Sequence, residues 1–371
     1  MANTVSIDAL RQELWSKELL DDVMRDVKNA MRFMGEDSNN IVQVSRELKK
    51  KKGDTETFGL LARLSGAGVT GDDELEGNEE SANTYSEQVA IDQIRNAIRT
   101  KGRLDSQKIT YDDVKEYKEL ARIWLKEFIA RQIFLKAAGV TNTLLVDTEG
   151  VTVGTRATWS NTPDFIADAD TASSTGAAAR YLNAAGHSMA TADSNDLLTL
   201  DLITKAATKA KLANPKIQPL SFDGDDFYVM YLHPLQARDI RTSDDWKTAQ
   251  QDAQIRGEKN PVFRGALGYW SNVLLLENEF VPYLDISSAA GHSWRGASTG
   301  TDYGVDSAGA VLCGRQAVLM AEASNPDALV VETFDYKNKD GVACSFIGGL
   351  QKTMFNSKEF GVILVDSAAV A

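Results

Sequence analysis

Three histidines, two cysteines and two clusters of charge are the residues from which this chain could build chemistry. His187, His233 and His292 are far apart in sequence and none belongs to an HExxH pair. The i, i+4 spacing that sets two imidazoles on one zinc ion is therefore missing. Cys313 and Cys344 offer no CxxC spacing and no disulfide framework. A Cys344–His233 dyad stays open, because folding can join distant residues. Yet Cys344 sits in an apolar strand-like run, where a thiol packs as a small hydrophobe rather than ionising to a nucleophile. No GxxxxGK[ST] stretch occurs, and Gly66-Ala67-Gly68 lies in a polar segment rather than at a strand–helix junction, so its amides are not set to cradle a phosphate. Hydrolase and kinase signatures are missing too. His233-Pro234 reads as a strand-to-helix corner rather than a base.

The charge clusters carry more. Lys49, Lys50, Lys51 and Lys52 are consecutive, and Asp72, Asp73, Glu74, Glu76, Glu79 and Glu80 place six carboxylates within nine residues. The acidic cluster could be a calcium loop, but it lacks the alternating ligands ahead of a glycine that an EF-hand needs, so a solvated loop is the simpler reading. The lysines could touch nucleic acid or guard a strand edge against aggregation. A third reading joins the two clusters, with the lysines of one copy meeting the acidic loop of another. These ten residues are the candidate inter-subunit contacts. The motifs predict no catalytic, cofactor or metal site.

The balance of 53 acidic and 40 basic residues, formally -13, argues against a duplex-binding face, though the acidic wall of a DNA container would tolerate that sign. Hydrophobic residues at 43% and charged residues at 25% are ordinary for a globular chain of 371 residues. The N-terminus shows no basic stretch followed by an apolar run, and no run nears the ~20 apolar residues that span a membrane. The protein reads as cytosolic when made.

The elements that would position these groups follow from periodicity. Ser6 caps a first helix with Leu10, Leu14, Val23, Val27, Met31 and Met34 at helical spacing, and Gly35 offers a stop. Residues 41–48, 55–58 and 85–91 alternate as strands, so 41–102 reads as two strand segments carrying a long glycine- and carboxylate-rich excursion at 65–80. Thr110-Tyr111-Asp112-Asp113 resembles a capping box. Tyr117, Trp124 and Phe128 then mark a helix core running to about Ala138. Residues 197–212 predict a helix, 227–232 a buried strand, and 234–241 and 244–256 further helices. Strands are expected at 273–276, 280–283, 329–333, 342–346 and 360–365, a helix at 311–323, and a hairpin turn at 336–341. The sum is an α+β chain.

The order of these pieces resembles the tailed-bacteriophage major capsid proteins with the Johnson fold, shared with herpesvirus shells, and within them a family with a glycine-rich acidic extended loop. The matching residues are Trp15-Ser16-Lys17, Leu48 to Asp54, Gly68-Val69-Thr70-Gly71-Asp72, Leu75 to Glu80 and Ile91 to Asn96. They continue with His233-Pro234, Asp239-Ile240-Arg241, Asp244-Asp245-Trp246, Cys313 to Ala317, Asp335 to Asn338, Gly348 to Phe355 and Phe360-Gly361-Val362. Residues 143–195 and 285–309 match nothing in that pattern.

The resemblance implies an N-terminal arm at 1–40, an extended loop at 41–102, a peripheral domain with a spine helix at 103–215, an axial domain at 216–324 and return strands at 325–371. It implies a non-enzymatic structural protein, without cofactors, forming hexamers and pentamers of an icosahedral virion head. The implied partners are copies of itself, a separate scaffolding protein, a portal protein, packaged double-stranded DNA bound without sequence specificity, and room for a decoration protein; no membrane is involved. The competing classes are another self-assembling protein, of a tail or surface layer, and an enzyme with an unrecognised site. A long amphipathic helix speaks against the first, which would be strand-rich throughout.

Overall fold

The computed structural model describes residues 8–61, 69–71, 76, 84–108, 113–138, 180–184, 193–213, 216–222, 224–252, 267–284, 305–325, 328–355 and 358–370. Most of the 65–80 excursion, the Thr110 cap and nearly all of 143–192 and 285–304 lie outside these residues. In chain order come α1 (Asp8–Met31), β1 (Met34–Gly35), β2 (Val42–Ser45), a 3-10 turn at Glu47–Lys49, β3 (Thr55–Leu61), β4 (Thr84–Ala90) and β5 (Asp92–Arg99). The one-turn α2 (Arg103–Ser106) and the long α3 (Asp113–Ala138) follow, then β6 (Tyr181–Asn183) and α4 (Leu200–Leu212). Next are β7 (Leu220–Phe222), β8 (Asp225–Leu232), α5 (Pro234–Thr242), α6 (Asp244–Asp252), β9 (Gly268–Trp270), β10 (Val273–Glu277) and β11 (Tyr283–Leu284). The chain closes with β12 (Ser307–Cys313), β13 (Val318–Glu322), β14 (Leu329–Phe334), β15 (Lys339–Lys352), β16 (Met354–Phe355), β17 (Lys358–Glu359) and β18 (Val362–Ala368).

Two sheets carry this mixed α+β architecture. In the first, β15 is central. One edge pairs with β5 from Gly341↔Arg99 to Gly348↔Asp92, and the other with β14 near its start and β13 near its end. β2 and β1 continue beyond β13. The second sheet runs β6-β18-β12-β8-β10-β9, with β11 on β12 and β7 on β8. β10 lies parallel to β8, so the connection between them must cross over, and α5 and α6 lie within it.

The central strands of the second sheet, β8, β10, β12 and β18, are buried on both faces over most of their length, which explains their unbroken apolar runs. Phe227, Val229 and Tyr231 of β8 face a core shared with α1, α3 and the first sheet. Tyr228, Met230 and Leu232 face a separate core under α4, α5 and Trp246. α3 is 26 residues, roughly 39 Å at 1.5 Å per residue. Its buried centre line runs through Leu125, Ile129 and Ile133, with Tyr117 and Trp124 partly buried along the margin.

Four expectations change. The helix expected at 311–323 is the end of β12, a corner and β13. Every residue there is buried except Arg315 at the corner, so periodicity carried no signal. The corner turns at Gly314, where a Cβ would lie 2.5 Å from the Gln218 carbonyl oxygen, and at Gln316, whose φ is 53°. α1 stops at Met31 rather than near Gly35, because Arg32 and Phe33 take left-handed φ of 48° and 39° and Met34–Gly35 joins β2. Residues 280–283 are mostly turn, with the Asn278 side chain accepting from the Phe280 amide at 2.9 Å. Residues 325–371 do not return as one block. β14 and β15 lie in the first sheet, but β18 pairs with β12 over seven rungs and with β6 in the second.

Candidate assembly site

Among the described residues, the β3–β4 hairpin stands apart from the two large sheets. It forms its own two-stranded sheet from Thr55↔Ala90 to Leu61↔Thr84. Its base is held by a small apolar cluster of Phe58 and Val89 against Leu319 and Ala321 of β13. Past that cluster Gly59 and Ser86 are exposed. The hairpin leads to the acidic excursion, of which Glu76 is described and exposed; Asp72, Asp73, Glu74, Glu79 and Glu80 lie outside the described residues.

Both legs of the hairpin are fixed on adjacent rungs of the β13–β15 ladder, Ala321↔Gly349 and Glu322↔Gly348. On the entering side Glu322, 1% exposed, takes Arg46 Nε at 3.0 Å and forms an ion pair with Lys49. Arg46 also reaches Glu36 at 3.3 Å, and the Ser45 hydroxyl bonds Glu56 across from β2 to β3. On the leaving side a Cβ at Gly349 would lie 2.0 Å from the Ala90 carbonyl oxygen. Only glycine lets the backbone approach so closely. The Asp54 carbonyl accepts from the Ile91 amide at 3.0 Å and ties the two legs together.

The four lysines therefore divide. Lys49 is held by Glu322 of its own subunit, Lys50 pairs with Glu47 at 3.1 Å, and Lys51 and Lys52 are exposed. Sequence reasoning missed Glu322, Arg46 and Gly349. A carboxylate ending the apolar run Val318-Leu319-Met320-Ala321 was the available signal for Glu322.

A second feature is the α1–α3 pair. Arg122 donates to Glu119 on its own helix at 2.6 Å and to Asp26 on α1 at 2.5 Å. The hydrogen bond from Arg122 holds the Glu119 carboxyl below its ordinary range. The Tyr231 hydroxyl donates to the Met31 carbonyl, satisfying one of the free carbonyls at the end of α1. Trp124 stacks on the buried Phe128 at 5.4 Å. Leu120 and Ile123 stand exposed on the outer face of α3.

The nucleophile and base candidates are placed apart. Cys344 is buried in the first sheet, between Asn96 and Leu329, and burial pushes its thiol up to about 11. Burial pushes Cys313, in the second sheet, to about 12. His233 caps α5, accepting from the Leu235 amide at 3.4 Å, and stacks on Tyr283 at 5.0 Å. Burial lowers it to about 4. The buried Gln236 completes this corner by donating to the Ala308 carbonyl at 2.9 Å and to Ser367 at 2.8 Å, which ties α5 to β12 and β18. Among the described residues no three His, Cys, Asp or Glu side chains are grouped to hold a metal, and no helix is long and apolar enough to cross a membrane.

Comparison with known proteins gives one consistent answer. A family model described as phage capsid protein matches residues 3–371. The major capsid protein of Pseudomonas phage KPP25 is 28% identical, covering 97% of this chain and 95% of that one. Among solved structures, the capsid of Ralstonia phage GP4 superposes with a TM-score of 0.72 at 28% identity, covering 92% of this chain and 90% of that one. The capsid of cyanophage Pam1 superposes at 0.66 and shares the fold at 23% identity, covering 91% of each chain.

Proposed function

Because this chain belongs to the phage capsid protein family over residues 3–371, we propose that it is the shell subunit of an icosahedral head, assembling as hexamers and pentamers around double-stranded DNA. The coarse role, major capsid protein and structural part of a phage virion, follows from the family and its relatives. The finer reading is that of the Johnson fold. In it α1 belongs to an arm, the β3–β4 hairpin to an extended loop, α3 is the spine of a peripheral domain, and the second sheet is the axial domain. A separate scaffolding protein, a portal and room for a decoration protein complete the expected partners.

The observation that carries this reading is the hairpin. It leaves the first sheet as an isolated two-stranded ribbon, while both its legs are anchored on the β13–β15 ladder. A rigid root under a ribbon with so little core of its own suits a loop that reaches a neighbour. Its carboxylates would meet cations there, Lys51 and Lys52 among them, each exposed pair contributing only ~0.2–1 kcal/mol but repeated in every subunit. Deleting residues 66–80 tests it. The subunit should melt as the parent does and sediment only as small species where the parent forms large ones. Parent-like large assemblies from the deletion would sink the docking role, and an unfolded product would show that the loop belongs to its own core.

A further inference from the structure

α3 passes through two environments. From Phe128 to Ala138 it is buried nearly all round, with only Arg131 and Leu135 partly exposed, and even Gln132 and Lys136 are covered. Its first half packs one side against α1 and the core, through Arg122 to Asp26 and through Ala121 and Leu125, and leaves the other side in solvent. On that open side Leu120 is 52% exposed and Ile123 39%. Local propensity does not account for them. An exposed helix position is best filled by alanine or a long polar residue, and isoleucine loses χ1 freedom against the preceding turn.

A single exposed apolar residue needs no explanation, but these two adjoin at i, i+3 and are bracketed by charge. Glu116, Leu120, Ile123 and Glu127 fall at i, i+4, i+7 and i+11, one straight stripe along the helix. All four are exposed. At 1.5 Å per residue the stripe is about 17 Å long. The ion pairs of this stretch use Glu119 and Asp26 on Arg122 and leave Glu116 and Glu127 out. The basic residues Lys115, Lys118 and Lys126 fall on the same flank as Arg122, off the stripe.

We propose that this stripe is the docking site of a short cationic amphipathic helix from a second, different protein. An apolar centre with a carboxylate one turn beyond each end calls for a partner with apolar residues at helical spacing, flanked by lysine or arginine. About three turns of helix span the same length. The two carboxylates repel phosphates, so neither nucleic acid nor an acidic lipid surface fits. A second copy of this chain fits poorly. It carries a formal charge of -13, and its exposed Lys51 and Lys52 run into Gly53-Asp54 without an apolar anchor.

Titrating the unassembled full-length subunit with a labelled synthetic peptide tests it. The peptide has about four helical turns, with leucines at i, i+3 and i+7 and lysines around them. A second peptide of the same composition is scrambled so that no apolar face forms. The amphipathic peptide should bind at least about tenfold tighter than the scrambled one. Leu120→Ser with Ile123→Ser should weaken it about tenfold. Glu116→Gln with Glu127→Gln should weaken it by a similar factor and flatten its salt dependence. Neither double variant should move the melting temperature by more than about a degree, since all four side chains are exposed. Equal binding of the two peptides, or undiminished affinity in the serine variant, would overturn the site. A melting loss of several degrees in the serine variant would show that the pair packs within its own subunit, and would overturn it too. Loss of large assemblies by that variant with no peptide present would put a second copy on the stripe and overturn the proposed occupant. A wild-type chain that binds the peptide as expected but never assembles would support the site while overturning the shell reading.

Discussion

The ion cluster at the hairpin root predicts a steep non-additivity. Glu322 is 1% exposed in its side chain, whereas Lys49 and Arg46 retain 30% and 47% of theirs. The burial cost therefore falls almost entirely on the carboxylate. One unit cation at ~4 Å contributes about 4 kcal/mol of attraction at an effective dielectric of about 20, against a desolvation cost of several kcal/mol. Both cations are partly exposed, so solvent screens much of that attraction, and with the other cation still in place Arg46→Met or Lys49→Met alone should cost only about 1 kcal/mol. Removing both strands a buried charge, and the double variant should lose roughly 3–5 kcal/mol. Glu322→Gln keeps the shape, frees two cations that can reach water, and should cost only about 1–2 kcal/mol. Urea unfolding of the unassembled subunits, read as a double-mutant cycle, measures the coupling. A double variant no worse than the sum of its singles would refute the argument that Glu322 depends on this pair.

Three further outcomes follow from the same geometry. Gly349→Ala, with a Cβ 2.0 Å from a backbone oxygen, should cost at least about 2 kcal/mol, while Gly59→Ala, which meets nothing within 4 Å, should leave stability within about 0.5 kcal/mol; equal effects in thermal melts would contradict the close approach. Leu125→Ala should cost roughly 3–4 kcal/mol and the partly exposed Trp124→Ala clearly less, about 2 kcal/mol; the reverse order would mean the buried line of α3 is misplaced. His233 is lowered from 6.5 to about 4 by burial, so between those values the unfolded chain binds the extra proton and stability falls as pH falls. The loss should be on the order of 2 kcal/mol by pH 4, reduced from the full shift because the ring is partly exposed. His233→Asn, which can still cap α5, should remove it; an unchanged pH profile would assign the acid sensitivity elsewhere.

What the sequence made legible was local. Alternation at 55–58 and 85–91 marks the hairpin legs, helical spacing marks α3, and Phe227 to Leu232 reads as the buried strand it is. The turn before Gly341 and the His233-Pro234 corner were visible from residue type. What was hidden depends on contacts between distant residues. Glu322 meets Arg46 across 276 positions, Gly349 admits Ala90, and β18 inserts beside β12. The 311–323 segment failed for a different reason: strands buried on both faces lose the alternation that separates them from a buried helix. The acidic cluster drew attention by composition, while the buried carboxylate that anchors its root is a single residue in an apolar run.

Under the proposed function, many copies of this chain close into a shell. Electron microscopy of the purified full-length protein under assembly conditions tests it most directly. Closed icosahedral particles, or free hexamers and pentamers, are the expected result. Tubes or flat lattices would point to another kind of assembly, and monodisperse small particles under every condition would contradict it.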